Sequence, residues 1–264
     1  MLNATSKPSQ VMKEINEDWE RAERWFEKKM GGREKLKDYT QRLIQEVIRT
    51  KIDQCSEPIP WLSMKYDNKW YMFLVVKYYK KVDFAYPHLM GFCYYKTAAS
   101  IGAFMPAAGA APDGSTDRGF ALHYTDHFFL RLKSRLEKDA SMDSIVKSFL
   151  WNVGNVVMRD KKSDDGNEVE LTMKFPDDGY GFGRLMEDDG VKLFGIKTFL
   201  KRSQLFPHQL REVKELEEFE KKVEYYPKEL EEVKGKLDKC REELGIHITD
   251  CLYPNKDRYS LTYN

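Results

Sequence analysis

The sequence is poor in cysteine and has almost no net charge, and each shortage removes a class of protein. Four cysteines, Cys55, Cys93, Cys240 and Cys251, are scattered over 264 residues with no C-x-x-C pair. That spacing disfavours a zinc ribbon or a small disulfide scaffold, and it fits reduced thiols in a cytoplasmic compartment. Basic residues number 44 and acidic residues 43. A globally basic nucleic-acid coat and a polyanionic tail are therefore both excluded. Long apolar runs are missing too. The longest candidate, around IGAFMPAAGAAP, is broken by prolines, so no membrane span is expected. The first residues, MLNATSKPSQVMKEINEDWE, hold no apolar segment of the secretory kind. There is no H-E-x-x-H, no nucleophile elbow and no repeat of fixed period. The run Gly179-Tyr-Gly-Phe-Gly183 lacks the Lys-Ser/Thr that completes a phosphate-cradling loop.

Hydrophobic residues make up 41% of the chain and aromatics 13%, so a core can form. The length predicts one to two domains. Residues 1–7 are expected to be loose. Val11, Ile15, Trp19, Ala22 and Phe26 predict a helix from Ser9 to Met30, ended by Gly31-Gly32. A second helix is expected from Arg33 to Gln54. Pro58 and Pro60 then mark a change to strands: WLSMKYD and KWYMFLVVKYY joined at Asp67-Asn68, then HLMGFCYYKT and SIGAFMPAA. The run AAGAAPDGSTDRG reads as a loop.

Beyond it, GFALHY predicts a strand running into a helix capped by Thr125, with Asp126 favourable in its first turn. A short helix is expected over Ser141–Trp151. Four strands follow: GNVVMRD, NEVELTMKF, YGFGRLMED and VKLFGIKTFL, with turns too short for crossover helices. In the second of them Val169, Leu171, Met173 and Phe175 point one way. Glu168, Glu170, Thr172 and Lys174 point the other, toward water. The rest predicts two helices broken near Pro227, then an irregular tail. The fold class is therefore α+β. Its segments are a helical hairpin over 1–59, an α+β core over 60–203 (a β region, 60–124, and a helix-helix-meander unit, 125–203), a helical hairpin over 204–245 and a tail over 246–264.

The segment HYTDHFFLRLKSR carries chemistry. His127, Arg131 and Arg135 stand four apart, so on a helix they share one polar stripe. A helix start disfavours the charged imidazolium, which suits an acid/base role for His127. Guanidinium groups bind phosphate oxygens through paired hydrogen bonds that lysine cannot reproduce. The competing reading is an ordinary solvated helix face. His123 precedes the helix, so a zinc site with His127 is not supported. The strand KWYMFLVVKYYKK can stack bases, but such a strand more often forms core with lysines at the edge.

A helix bearing H-x-x-x-R-x-x-x-R, a short second helix and a four-strand meander resemble the RelE–barnase–colicin group of ribonuclease-like toxin folds, over about residues 118–203. The resemblance implies metal-independent RNA cleavage, with the neighbouring 2′-hydroxyl as nucleophile and no cofactor. It implies His127 as acid/base, Arg131 and Arg184 as phosphate clamps, and Arg135, Lys197 and Thr198 as further phosphate contacts. This sequence departs from the group in its acidic turns, at Asp164, Asp165, Asp177, Asp178, Asp188 and Asp189. Residues 125–200 carry 14 acidic against 12 basic residues, so broad steering toward RNA is not available to them. Two functions are expected from different classes. One is a cytoplasmic RNA-binding or RNA-cleaving protein. The other is a non-enzymatic structural or interaction protein of a phage or mobile element, docking through its terminal helical hairpins; the hairpin over 204–245 either packs on the domain or meets a partner or a second copy.

Overall fold

The computed structural model describes residues 1–51, 68–79, 84–110, 116–136, 139–152, 157–162, 169–175 and 179–220. They form helices α1 (Pro8–Lys29), α2 (Arg33–Thr50), α3 (Asp126–Leu136), α4 (Met142–Asn152) and α5 (Pro207–Glu220). The strands are β1 (Lys69–Tyr79), β2 (Phe84–Lys96), β3 (Ile101–Ala110), β4 (Thr116–Tyr124), β5 (Val157–Lys162), β6 (Val169–Phe175), β7 (Gly179–Asp188) and β8 (Val191–Lys201). The α+β character expected from the sequence is present. The expected strand at WLSMKYD, the break near Pro227 and the tail lie outside the described residues.

The chain divides into two compact units. The first comprises Met1–Glu14 and Cys93–Tyr225, and the second is centred on Ile15–Phe92. In the second, α1 ends where expected: Gly31 and Gly32 take φ of 87° and 96°. Those left-handed values suit glycine, and the Gly32 N–H returns to the Glu27 carbonyl at 3.0 Å. α2 stops at Thr50, with Lys51 left-handed and bonded to Val47. β1 neighbours β2. Its whole length from Trp70 to Val76 is buried, so it is a core strand rather than a one-sided one. At its start, buried Asp18 accepts hydrogen bonds from Arg21, from Asn68 Nδ2 at 2.9 Å and from Trp70 Nε1 at 3.1 Å.

In the first unit residues 1–7 are not loose. Leu2 is buried, the terminal amine pairs with Glu14 at 3.2 Å, and Asn3, Thr5 and Ser6 close a hydrogen-bonded turn. An apolar side chain this close to the end has to be covered, and burying it fixes the terminus. The strand order is β2-β3-β4-β8-β7-β6-β5. Neighbours pair antiparallel except β4 and β8, which run parallel from Phe120↔Lys192 to Tyr124↔Ile196. The sequence did not reveal that parallel pair. Side chains on both faces of β8 are buried, which accounts for its nearly continuous apolar run of Val191, Leu193, Phe194, Ile196, Phe199 and Leu200. The expected loop over AAGAAPDGSTDRG is shorter than its composition suggests, since β3 runs to Ala110 and β4 begins at Thr116. β7 and β8 are joined by Asp189-Gly190, with φ of 52° and 73°, the left-handed pair of a tight hairpin turn.

One face of this sheet holds an aromatic core. Phe128 of α3 lies 5.1–6.1 Å, centroid to centroid, from Phe129, Phe149, Phe175 and Phe199, and Tyr124 lies 5.4 Å away. Burying each such ring stabilises the fold by roughly 1.5–3 kcal/mol. Gly181 makes room for it: a Cβ there would sit 2.8 Å from the Phe175 ring. Gly179 and Gly181 of β7 thus seat the Phe199 and Phe175 rings, while Gly183 lets the β8 backbone approach at the bulge. α5 covers the other face of β5 to β7. Val213 and Leu216 anchor it, both fully buried. Part of the β6 face expected to meet water meets a helix instead: Thr172 is buried and Lys174 pairs with Glu220 at 2.7 Å, while Glu170 is exposed as expected.

Candidate functional site

β4 gives up its place beside β8 to α3. The last β4–β8 pair is Tyr124↔Ile196, and the next residue, Thr125, uses both its N–H (3.2 Å) and its hydroxyl (3.1 Å) to bind the Ile196 carbonyl. The same hydroxyl accepts the Phe128 N–H at 3.2 Å, which is the helix cap the sequence predicts. The start of α3 is therefore locked to one point on β8. α3 then carries its polar stripe along the stretch of β8 beyond that point.

The stripe forms as the four-residue spacing requires. His127 and Arg131 are exposed, and Arg131 Nε donates to His127 Nε2 at 3.3 Å. That ring nitrogen is thus an acceptor, with the proton on Nδ1. One turn on, Arg135 donates to the Thr198 hydroxyl of β8 at 3.4 Å. Among the described residues no carboxylate pairs with Arg131 or Arg135. Partial burial, and then the charge of Arg131, hold the Arg135 guanidinium below its ordinary pKa. Two uncompensated guanidiniums repel each other until an anion sits between them.

The register places the other candidates. β8 has a bulge where Phe182↔Thr198 is followed by Gly183↔Ile196, so Lys197 is the extra residue, and it is exposed. Arg184 is exposed on β7, opposite Glu170 of β6 and Gly195 of β8. The structure thus gives two contact pairs one helical turn apart, His127 with Arg131 and Arg135 with Thr198, while Lys197 and Arg184 are located by register alone. The acidic turn of β7–β8 lies at the other end of the strand. From Val191, the partner of Asp188, to Thr198 β8 rises roughly 20 Å. Asp188 is also engaged, accepting a bond from the Ser9 hydroxyl. The other four turn aspartates, Asp164, Asp165, Asp177 and Asp178, lie outside the described residues.

Sequence reasoning missed a buried pair beside this site. His123 Nε2 and the Tyr95 hydroxyl are 2.7 Å apart, and Phe104 stacks on the imidazole at 4.3 Å. Burial lowers the His123 pKa to about 4, although the Asp126 charge acts the other way. Burial, and then the same Asp126 charge, raise the Tyr95 hydroxyl above its ordinary value. Both stay neutral near pH 7, so the pair is a core hydrogen bond. No local motif announces it, since the two residues meet only through the β2–β3–β4 register. An unfolded chain protonates His123 near its ordinary value of about 6.5. The stability from keeping it neutral is therefore present above pH 6.5 and lost as pH falls toward 4, and amounts to about 3 kcal/mol. Urea unfolding at pH 7 and pH 4.5 should show this loss in the wild type and a smaller one in His123→Phe. An equal loss in both proteins would remove His123 from the acid response.

Among the described residues no group of three or more His, Cys, Asp or Glu could hold a metal ion. No helix among them is long and apolar enough to cross a membrane. Cys93 is buried, and the other three cysteines lie outside the described residues. No protein-family model, curated protein or solved structure matches the chain.

Proposed function

We propose that the protein binds single-stranded RNA at the α3–β8 junction and cleaves it without metal, in the manner of the ribonuclease-like toxin folds its helix-plus-meander segment resembles. The observation that carries this reading is the pair Arg131 and Arg135, held on His127 and Thr198 with no carboxylate between them among the described residues. A scissile phosphate between the guanidiniums would replace their mutual repulsion with paired, charge-assisted hydrogen bonds. Arg131 would then release His127 Nε2, leaving a ring nitrogen free to accept a proton.

In the step itself the 2′-oxygen attacks phosphorus and gives its proton to His127. The O2′–P bond forms, the P–O5′ bond breaks, and the departing 5′-oxygen takes a proton back from the imidazolium. The products are a cyclic phosphate and a 5′-hydroxyl. Arg131 and Arg135, and by the resemblance Arg184 and Lys197, would stabilise the charge on the phosphate oxygens. Binding is tested by anisotropy titration of a labelled single-stranded RNA between 50 and 200 mM salt. The double variant Arg131→Ala/Arg135→Ala should bind at least about tenfold more weakly, with a salt slope shallower by about 1.4 for two lost phosphate contacts. An unchanged affinity and slope would remove the arginines from the site.

A further inference from the structure

α5 is a helix of carboxylates laid on a face of donors. Glu215 pairs with Arg159 of β5, Glu212 accepts from the Thr172 hydroxyl of β6 at 3.3 Å, and Glu220 pairs with Lys174 at 2.7 Å. Glu217 accepts from the Tyr180 hydroxyl of β7 at 2.8 Å and from Arg202. Every one of these groups, four on the sheet and Arg202 just after β8, donates to a carboxylate oxygen of α5. The ion pairs are partly exposed, with side chains between 23% and 41% accessible, so each holds the helix weakly.

The register extends this face to the candidate site. Arg159↔Thr172, Thr172↔Phe182 and Phe182↔Thr198 form one row across β5, β6, β7 and β8. Residues paired across strands share a face, so the row is continuous over about 14 Å. It begins at Arg159 under α5 and ends at Thr198, where Arg135 donates. Phe182, half-buried in mid-row, offers an aromatic ring between two hydroxyls.

We infer that this donor row is a binding track for single-stranded RNA, and that α5 occupies it as an internal acidic mimic of the RNA backbone. The inference rests on the α3–β8 reading and extends it from one phosphate to a run of them. Arg159, Lys174 and Arg202 supply charge, Thr172 and Tyr180 supply hydroxyl donors, and Phe182 supplies a stacking surface of the kind single strands use. RNA and α5 compete for the same donors, so binding must lift the helix.

The test uses the full chain with Glu212, Glu215, Glu217 and Glu220 all changed to Gln. The control carries the same charge change on exposed Glu17, Glu20, Glu34 and Glu46. Labelled single-stranded RNA should bind the α5 variant at least about tenfold more tightly than the control. Adding Arg159→Gln and Lys174→Gln should cancel that gain. In the wild type, which needs no variant to fold, saturating RNA should speed amide exchange over 207–220. Equal affinity of variant and control, or unchanged exchange in α5 while RNA is bound, overturns the inference. If affinity in that case still depends on Arg131 and Arg135, the α3–β8 reading stands alone. If the α5 variant gains affinity that ignores Arg131 and Arg135, the track stands and that reading fails. If neither protein binds RNA, both fall.

Discussion

Asp18→Ala is expected to lower stability by about 2–6 kcal/mol, the cost of leaving two buried donors without their acceptor. Asp18 is 5% exposed, and its carboxylate collects three donors: the Arg21 guanidinium, the Asn68 amide and the Trp70 indole. Two of those donors belong to buried residues, Trp70 being fully buried. Without the carboxylate, each of these two keeps the desolvation cost of burial and loses its acceptor, about 1–3 kcal/mol apiece. Asp18→Asn should lose less, because one amide oxygen still accepts. Trp19 meets Trp70 edge-on at 5.9 Å, so tryptophan fluorescence in a urea titration reports directly on this region. A loss below about 1 kcal/mol for Asp18→Ala would show that the network is not holding β1 against α1.

Much of the local structure was legible because local rules decide it. The glycine pair after α1, the Thr125 cap and the Asp189-Gly190 turn each depend on a few adjacent residues. The stripe of His127, Arg131 and Arg135 was legible for the same reason, since helical period fixes it. Long-range pairing was not. Nothing near VKLFGIKTFL states that its second neighbour is GFALHY, some seventy residues earlier and parallel to it. Nor does TMKF disclose that Thr172 and Lys174 will meet glutamates of a helix instead of water. A period of two separates two faces but does not say what covers either one. The row from Arg159 to Thr198 is the product of three registers, and the bulge at Lys197 is what brings Thr198 into line with Phe182.

The same geometry sets the size of the chemical effect expected at the site. A positioned acid/base contributes about 10²–10⁴ in rate, so His127→Ala should cut cleavage by at least a hundredfold. Removing one charged donor from the phosphate costs about 10²–10³, so Arg131→Ala should fall comparably. Both residues act on the same reacting phosphate, so the double variant should lose less than the product of the two single effects. Neither residue is buried, and neither contributes to the aromatic core, so both variants should unfold with the wild type in urea. A loss of cleavage therefore reports on chemistry and not on folding.

The most direct measurement follows labelled single-stranded RNA in excess EDTA, with wild type, His127→Ala and Arg131→Ala side by side. The wild type should cleave to a cyclic phosphate and a 5′-hydroxyl, and each variant at least about a hundredfold more slowly. Equal cleavage by all three proteins, or none by any of them, would contradict this mechanism.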